Sequence, residues 1–357
     1  MTVSIINGDC RDVLRTLPDE SVHCIVTSPP YFGLRDYGVD GQIGLEDTPA
    51  AFVAELVSLF REARRVLRAD GTLWLNLGDS YAGSWGAQGR GGQMADRSVI
   101  SAQQIAAAAK KTSRTGSIPA ASGLKPKDLI GIPWRVALAL QEDGWYLRQD
   151  IIWHKPNPMP ESVTDRCTKA HEYLFLLTRS AQYHYDADAI AEPLASASVA
   201  RLSQDVERQQ GSDRVPGKTN GKMKAVAKGN RKTVRGGGVY TQGRSFDNDA
   251  ESCNDSVGNE PNERGLRNKR SVWTVATQPF KEAHFATFPP ELIEPCIKAG
   301  CPVGGTVLDP FGGAGTTGLV ADRLQRNAIL IELNPEYAAM ADRRIYNDAP
   351  LLAGSAA

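Results

Sequence analysis

Charge of one sign is missing from this 357-residue chain: Lys plus Arg and Asp plus Glu both number 41, so the formal net charge is zero. A polyanionic partner leaves no trace in the total, and any such signal has to be local. Long apolar runs are missing too. No stretch approaches the roughly 20 residues that span a bilayer, and the opening MTVSIINGDC has no basic flank before an apolar core, so a soluble, cytoplasmic protein is expected. Cysteine is sparse. The six thiols (Cys10, Cys24, Cys167, Cys253, Cys296, Cys301) are scattered, and the closest pair is spaced C-x4-C with no Cys or His partner nearby. That pattern argues against a disulfide framework and against a metal site, and leaves small buried apolar residues in a reducing compartment.

With 41% hydrophobic residues the chain can bury a full α/β core and carry a second, less regular module. VHCIVTS, GTLWLNLGD, WYLRQDIIWHKP and EYLFLLTRS read as strands, and AAFVAELVSLFREARRVLR and DLIGIPWRVALALQEDG as amphipathic helices. The alternation resumes near the C-terminus as PPELIEPCIKAG, TVLD, TTGLVADRLQ, AILIEL and PEYAAMADRRIY. An α/β fold with a doubly wound, mostly parallel sheet is the expectation. Two halves, 1–194 and 271–346, flank a segment at 195–270 rich in Gly, Asn, Ser, Lys and Arg without an apolar period. That segment reads as an insertion, partly disordered, and 347–357 as a flexible tail.

The charge hidden in the total lies in two loops. Within the insertion, the stretch from Arg214 to Arg244 carries Lys218, Lys222, Lys224, Lys228, Arg231, Lys232 and Arg235 and no acid. The loop 84–127 carries Arg90, Arg97, Lys110, Lys111, Arg114, Lys125 and Lys127 against Asp96. Solvated loops and phosphate-binding surfaces both read this way.

VLDPFGGAGTTG is a strand ending in Asp309, a glycine turn, then a helix. Gly313, Gly315 and Gly318 satisfy G-x-G-x-x-G, which lets backbone approach a ligand at a helix N-terminus. The next strand ends at Glu332, placed for ribose hydroxyls. A nucleoside ligand follows. Asp309 at the strand end would repel a pyrophosphate but suits a cationic amino-acid tail, which favours S-adenosylmethionine over a dinucleotide.

Thr27-Ser28-Pro29-Pro30-Tyr31 follows the apolar strand VHCIV. Two prolines fix two φ angles and remove two N–H donors, which leaves the carbonyls of Ser28 and Pro29 free to face a substrate. An aromatic amino group is a poor nucleophile, and acceptors on its two hydrogens draw it toward a tetrahedral geometry. Ser28 Oγ and the Pro29 carbonyl supply such acceptors, and Tyr31 offers a face on which an extruded base stacks.

In these residues the chain resembles the amino-methyltransferases of DNA, in the permuted (beta) class whose catalytic motif precedes its cofactor motif. TSPPY, GTLWLNLGD, IIWHKPNPMPESVTDRCTKAHEYLFLLTRS, HFATFPPEL, LDPFGGAGTTG and IELNPEY are similar to successive motifs of that class and span nearly the whole chain. The resemblance implies a circularly permuted, Rossmann-like fold, S-adenosyl-L-methionine as cofactor and double-stranded DNA as partner. It implies that Ser28, Pro29, Pro30 and Tyr31 hold the flipped base, that Asp309, Phe311, Gly312, Gly313 and Gly315 surround the methionine part, and that Glu332 binds the ribose. Asp9, in a Gly-Asp segment, is implied as a contact to the cofactor's adenine. His284, Thr287 and Pro289 fall in a further cofactor segment, although FATFPPEL departs from the commoner H-P-T-Q-K-P wording. The insertion takes the place of a target-recognition region, with Lys222, Lys224, Lys228, Arg231, Lys232 and Arg235 as candidate phosphate contacts.

Ser at position 28 favours cytosine N4 over adenine N6, since adenine enzymes of the family more often carry Asp or Asn there. Carbon-5 chemistry needs a thiolate, and Cys296, after Pro295, lies in an apparent helix rather than at a strand end. An RNA or protein methyltransferase, a nicotinamide oxidoreductase and a DNA-binding module without transfer activity stay open as rivals. No residue signals an oligomeric state or a cognate restriction endonuclease.

Overall fold

The computed structural model describes residues 1–34, 37–82, 123–195, 266–278 and 288–348. Two compact units divide the chain, Met1–Ala189 with Arg270–Ala357, and Ile190–Lys269. The larger unit begins β1 (Val3–Asn7), α1 (Cys10–Thr16), β2 (Val22–Thr27), α2 (Pro49–Val66), β3 (Leu67–Leu77), α3 (Ile132–Glu142), β4 (Tyr146–His154) and β5 (His171–Thr178). The smaller unit contributes β6 (Glu192–Pro193), paired antiparallel with β7 (Leu266–Arg267). The larger unit resumes with β8 (Val272–Thr274), α4 (Pro290–Gly300), β9 (Thr306–Asp309), α5 (Thr316–Arg323), β10 (Asn327–Glu332) and α6 (Pro335–Asp348).

Its eight strands form one sheet in the order β1-β10-β9-β2-β3-β5-β4-β8. All described pairings within this sheet are parallel except those of β5, which runs against both β3 and β4. The strand reading of WYLRQDIIWHKP and EYLFLLTRS holds, but these two are not a parallel pair. No helix is described in residues 155–170, which join them, and strands linked without a crossover pair antiparallel.

Alternation along the strands sorts the sheet's two faces. Ile25, Leu73, Leu75, Phe175 and Leu308 join one apolar core with Leu14 of α1, Phe52, Leu56 and Phe60 of α2, and Val136 and Leu140 of α3. Cys24, Thr72 and Trp74 face the end of α4, where a Cβ on Gly300 would collide with Thr72 Oγ1. α2 starts where Thr48 Oγ1 accepts the Ala51 N–H (3.1 Å) and Pro49 presets the first turn.

From β2 the chain winds through α2 to β3, and from β9 through α5 to β10 on the other side. The boundary between β2 and β9 is therefore the topological switch point, beside which open α/β sheets bind ligands. Among the described residues, no helix is long and apolar enough to cross a membrane.

Candidate active site

The carboxyl ends of the central strands open onto one cavity of about 910 Å3. Asp9 follows β1, Glu332 ends β10, Phe311 and Gly313 follow β9, and the turn Ser28–Tyr31 follows β2. Asn76 at the end of β3, Lys155 after β4 and Glu172 on β5 complete the facing wall.

A buried carboxylate ties the two main turns together. β2 and β9 pair directly, Cys24 opposite Val307 and Ile25 opposite Leu308. Beyond them Asp309 accepts the hydroxyl protons of Thr27 and Thr317, each at 2.6 Å, and the Phe311 N–H at 3.0 Å. Burial pushes the Asp309 carboxyl above its ordinary range, and these three donors act against that shift.

On the glycine side the two oxygens of Glu332 accept the N–H groups of Gly313 and Asn334, both at 2.8 Å. Burial raises this carboxyl, and the two N–H groups oppose the rise. With the Leu333 N–H as a third donor, the carboxylate still keeps acceptor capacity for a further one. Ile331, Leu333 and Tyr337 lie beside it in the cavity wall. A carboxylate with spare acceptors, next to apolar surface and a close-approach glycine, fits a nucleoside with two vicinal hydroxyls.

The diproline side is a network of hydroxyls and one amide. Asn76 Nδ2 donates to the Tyr173 carbonyl (3.0 Å), which turns Oδ1 toward Ser28 Oγ (3.3 Å) and Tyr31 Oη (3.2 Å). Tyr31 Oη donates to Glu172 Oε2 at 2.6 Å, and the other Glu172 oxygen pairs with the Lys155 ammonium. Burial, with the Glu172 charge beside it, raises the Tyr31 phenol well above its ordinary value, so it remains a donor. The Tyr31 ring packs against Gly78, where a Cβ would collide with Cε2. Asp79 is taken up in structure, accepting the Gly131 and Ile132 N–H groups at the start of α3 (3.0 and 3.1 Å).

The sequence model of the DNA methylase family, which unites N6 and N4 methyltransferases, matches residues 22–343. The chain belongs to this family. It is 43% identical to the type II methyltransferase M.Cfr9I of Citrobacter freundii over 347 residues, 97% of this chain and 88% of that one. Among solved structures, this methylase shares its fold with the cytosine-N4-specific PvuII DNA methyltransferase (TM-score 0.55, 17% identity, 98% and 92% of the two chains). It also shares it with a Thermus thermophilus protein, described as a putative DNA modification methylase, complexed with S-adenosyl-L-methionine (TM-score 0.53, 22% identity, 98% and 96%).

Against the methylase motifs, the structure brings Ser28, Pro29, Pro30, Tyr31, Asp9, Phe311, Gly313 and Glu332 to the one cavity. Asp309, Gly312 and Gly315 are not among its lining residues, and the reason is physical. Asp309 is 2% exposed with its oxygens committed to Thr27, Thr317 and Phe311. A Cβ on Gly312 would sit 3.0 Å from the Leu330 Cβ, and one on Gly315 2.8 Å from the Ala341 Cβ, so both glycines serve packing of the turn. Asp9 lines the cavity, but its carboxylate caps α1 and is gripped by Arg11, which holds it below the usual carboxylate range. Pro289 precedes α4 and lies off the cavity, which its neighbour Phe288 reaches. His284, Thr287, Lys222, Lys224, Lys228, Arg231, Lys232 and Arg235 lie outside the described residues. Cys296 is buried within α4, its thiol directed at the Leu292 carbonyl (3.6 Å). Asn76, Lys155 and Glu172 stand within the motif-like segments GTLWLNLGD and IIWHKPNPMPESVTDRCTKAHEYLFLLTRS, but no local signal marks them as site residues.

Proposed function

We propose that the chain transfers the methyl group of S-adenosyl-L-methionine to the exocyclic amino nitrogen of a base flipped out of double-stranded DNA, with cytosine N4 favoured and adenine N6 as the alternative. One observation carries this reading: the Ser28–Tyr31 turn and the Phe311–Gly313 turn face the same cavity, joined beneath it by Thr27 and Asp309. Cytosine is supported by Ser28 at the head of the motif and by the fold shared with a cytosine-N4-specific enzyme.

The cofactor supplies an electrophilic methyl group on a sulfonium. Glu332 takes its ribose hydroxyls, and Phe311 and Gly313 border the part that carries the methyl. The Tyr31 ring, held by its hydroxyl and by Gly78, stacks on the base, a contact worth about 1 to 3 kcal/mol. Ser28 Oγ and the Pro29 carbonyl accept the amino hydrogens and orient the nitrogen lone pair into the cavity. The fixed amide of Asn76 holds Ser28 in place without itself taking a proton. The 195–270 insertion is the target-recognition region in this reading, with Lys222, Lys224, Lys228, Arg231, Lys232 and Arg235 on phosphates.

Incubation with tritiated S-adenosylmethionine and unmethylated bacterial genomic DNA, followed by nucleoside analysis, tests the proposal. Label in N4-methylcytosine is expected. Label in N6-methyladenine selects the alternative, and absence of label from DNA overturns the reading.

A further inference from the structure

The amino nitrogen that gains a methyl group must lose a proton, and none of the groups assigned to orient it can keep one. Ser28 offers a hydroxyl, Pro29 a carbonyl, and Asn76 an amide. The cavity's carboxylates are mostly spoken for: Asp9 by Arg11, Asp79 by the start of α3, Glu161 by Arg166, and Glu332 by the glycine turn together with the ribose hydroxyls assigned to its remaining acceptor capacity. Glu172 is different. Its Oε2 is 2.6 Å from the Tyr31 hydroxyl, and the Ser28 hydroxyl stands close enough to that phenol to act against the rise in its pKa. Both hydroxyls also lie within 3.3 Å of the same Asn76 oxygen, which keeps them side by side.

We infer that Ser28, Tyr31 and Glu172 form a proton path, with Glu172 as the terminal acceptor of the proton released from the methylated amino group. The inference rests on the amino-methyltransferase reading and deepens it. As the carbon–sulfur bond of the donor breaks and the carbon–nitrogen bond forms, the nitrogen gives one proton to Ser28 Oγ and keeps the electron pair of that N–H bond. Ser28 passes its own proton to Tyr31 Oη, and Tyr31 passes its proton to Glu172 Oε2. The sulfonium becomes a neutral thioether, the carboxylate a neutral acid, and both hydroxyls end as they began. The positive charge of the donor and the negative charge of Glu172 vanish together, so the net charge of the cavity is the same before and after the step, and the Lys155 ammonium left beside the neutral acid favours return of that proton to solvent. Lys155 holds the carboxylate at the far end of the path: its ammonium pairs with the second Glu172 oxygen and lies 4.2 Å from the centroid of the Trp153 ring. Antiparallel pairing of β4 with β5 places Glu172 opposite Trp153, two residues from Lys155.

The test measures single-turnover methyl transfer to duplex DNA for the wild type, Tyr31→Phe, Glu172→Gln and the double variant, in H2O and D2O, together with DNA affinity in the absence of cofactor. Tyr31→Phe keeps the stacking ring and removes only the relay hydroxyl. Each single variant is expected to lose about a hundredfold in rate, within the usual range for a positioned acid or base. The double variant should lose little more, the wild-type slowing in D2O should disappear in all three, and DNA affinity should hold. Glu172→Gln strands the Lys155 ammonium, so Lys155→Met is added to it as a second background: the rate should stay low. Recovery there to near the wild-type rate, a Glu172→Gln rate equal to wild type, or multiplicative losses in the double variant overturns the path. A wild-type protein that labels no DNA amino group instead removes the functional reading beneath it.

Discussion

Thr27 and Asp309 stand 282 positions apart in sequence and share a hydrogen bond of 2.6 Å. One residue precedes the diproline turn and the other precedes the glycine turn, so this contact sets the distance between the two walls of the cavity. Hydrogen bonds to charged groups contribute about 1.5 to 3 kcal/mol. Thr27→Val is expected to cost that much in urea unfolding and to weaken cofactor binding as well, while Thr27→Ser keeps both. A Thr27→Val protein as stable as the wild type would contradict the role given to the pair.

Tyr31→Ala should separate base stacking from cofactor binding. Loss of about 1 to 3 kcal/mol of stacking reduces methyl transfer steeply. Cofactor affinity, read by calorimetric titration, should change little, because Tyr31 stands on the opposite wall from Glu332. Equal damage to both would remove the stacking assignment.

Glu332→Gln presents an amide N–H2 where two backbone N–H groups now converge. The turn loses an acceptor, and so do the ribose hydroxyls. A fall in cofactor affinity of roughly tenfold to a hundredfold is expected, on the order of one charged hydrogen bond, with DNA affinity unchanged when measured alone.

The strands, helices and most cavity-lining motif residues were legible in the sequence because each rests on a local signal: period, glycine, proline, a strand-end acid. Asp309 shows where local signals stop. Its position beside the glycine turn suggests a ligand contact, and only the pairing of β2 with β9 brings Thr27 to it and withdraws it from the cavity. Lys155 and Glu172 escaped because nothing in their spacing links them. They meet through the reversed direction of β5, which an expectation of parallel strands does not contain.

Gly315 has φ +76°, and a Cβ there would meet Ala341 of α6 at 2.8 Å. Left-handed backbone costs an ordinary residue about 1 to 2 kcal/mol, and overpacking adds about 1 to 3. Gly315→Ala should therefore lower the melting temperature clearly, while an equivalent change at Gly304, also at positive φ but with open space around its Cβ position, should cost less.

Acid dependence of stability follows the Asp9–Arg11 pair. Arg11 lowers the Asp9 carboxyl from its ordinary 3.8, so the folded chain holds that proton less tightly than the unfolded chain. The stabilisation is present above 3.8 and is lost as pH falls through the lowered folded value. Asp309 and Glu332, raised by burial, have the opposite sign: their share is present below their ordinary values and fades as pH rises through the folded ones. Asp9→Asn should thus match the wild type in urea midpoint at strongly acid pH and fall behind it toward neutrality.

The strand order has a consequence for synthesis on the ribosome. β1 and β2 are made first, yet they never touch as neighbours, because β10 and β9 fill the place between them. Until residues 306–332 emerge, each early strand presents an open ladder edge, the kind of surface that recruits foreign strands. A nascent chain halted before Thr306 should therefore depend on holdase chaperones, and release of that dependence should coincide with delivery of the last two strands.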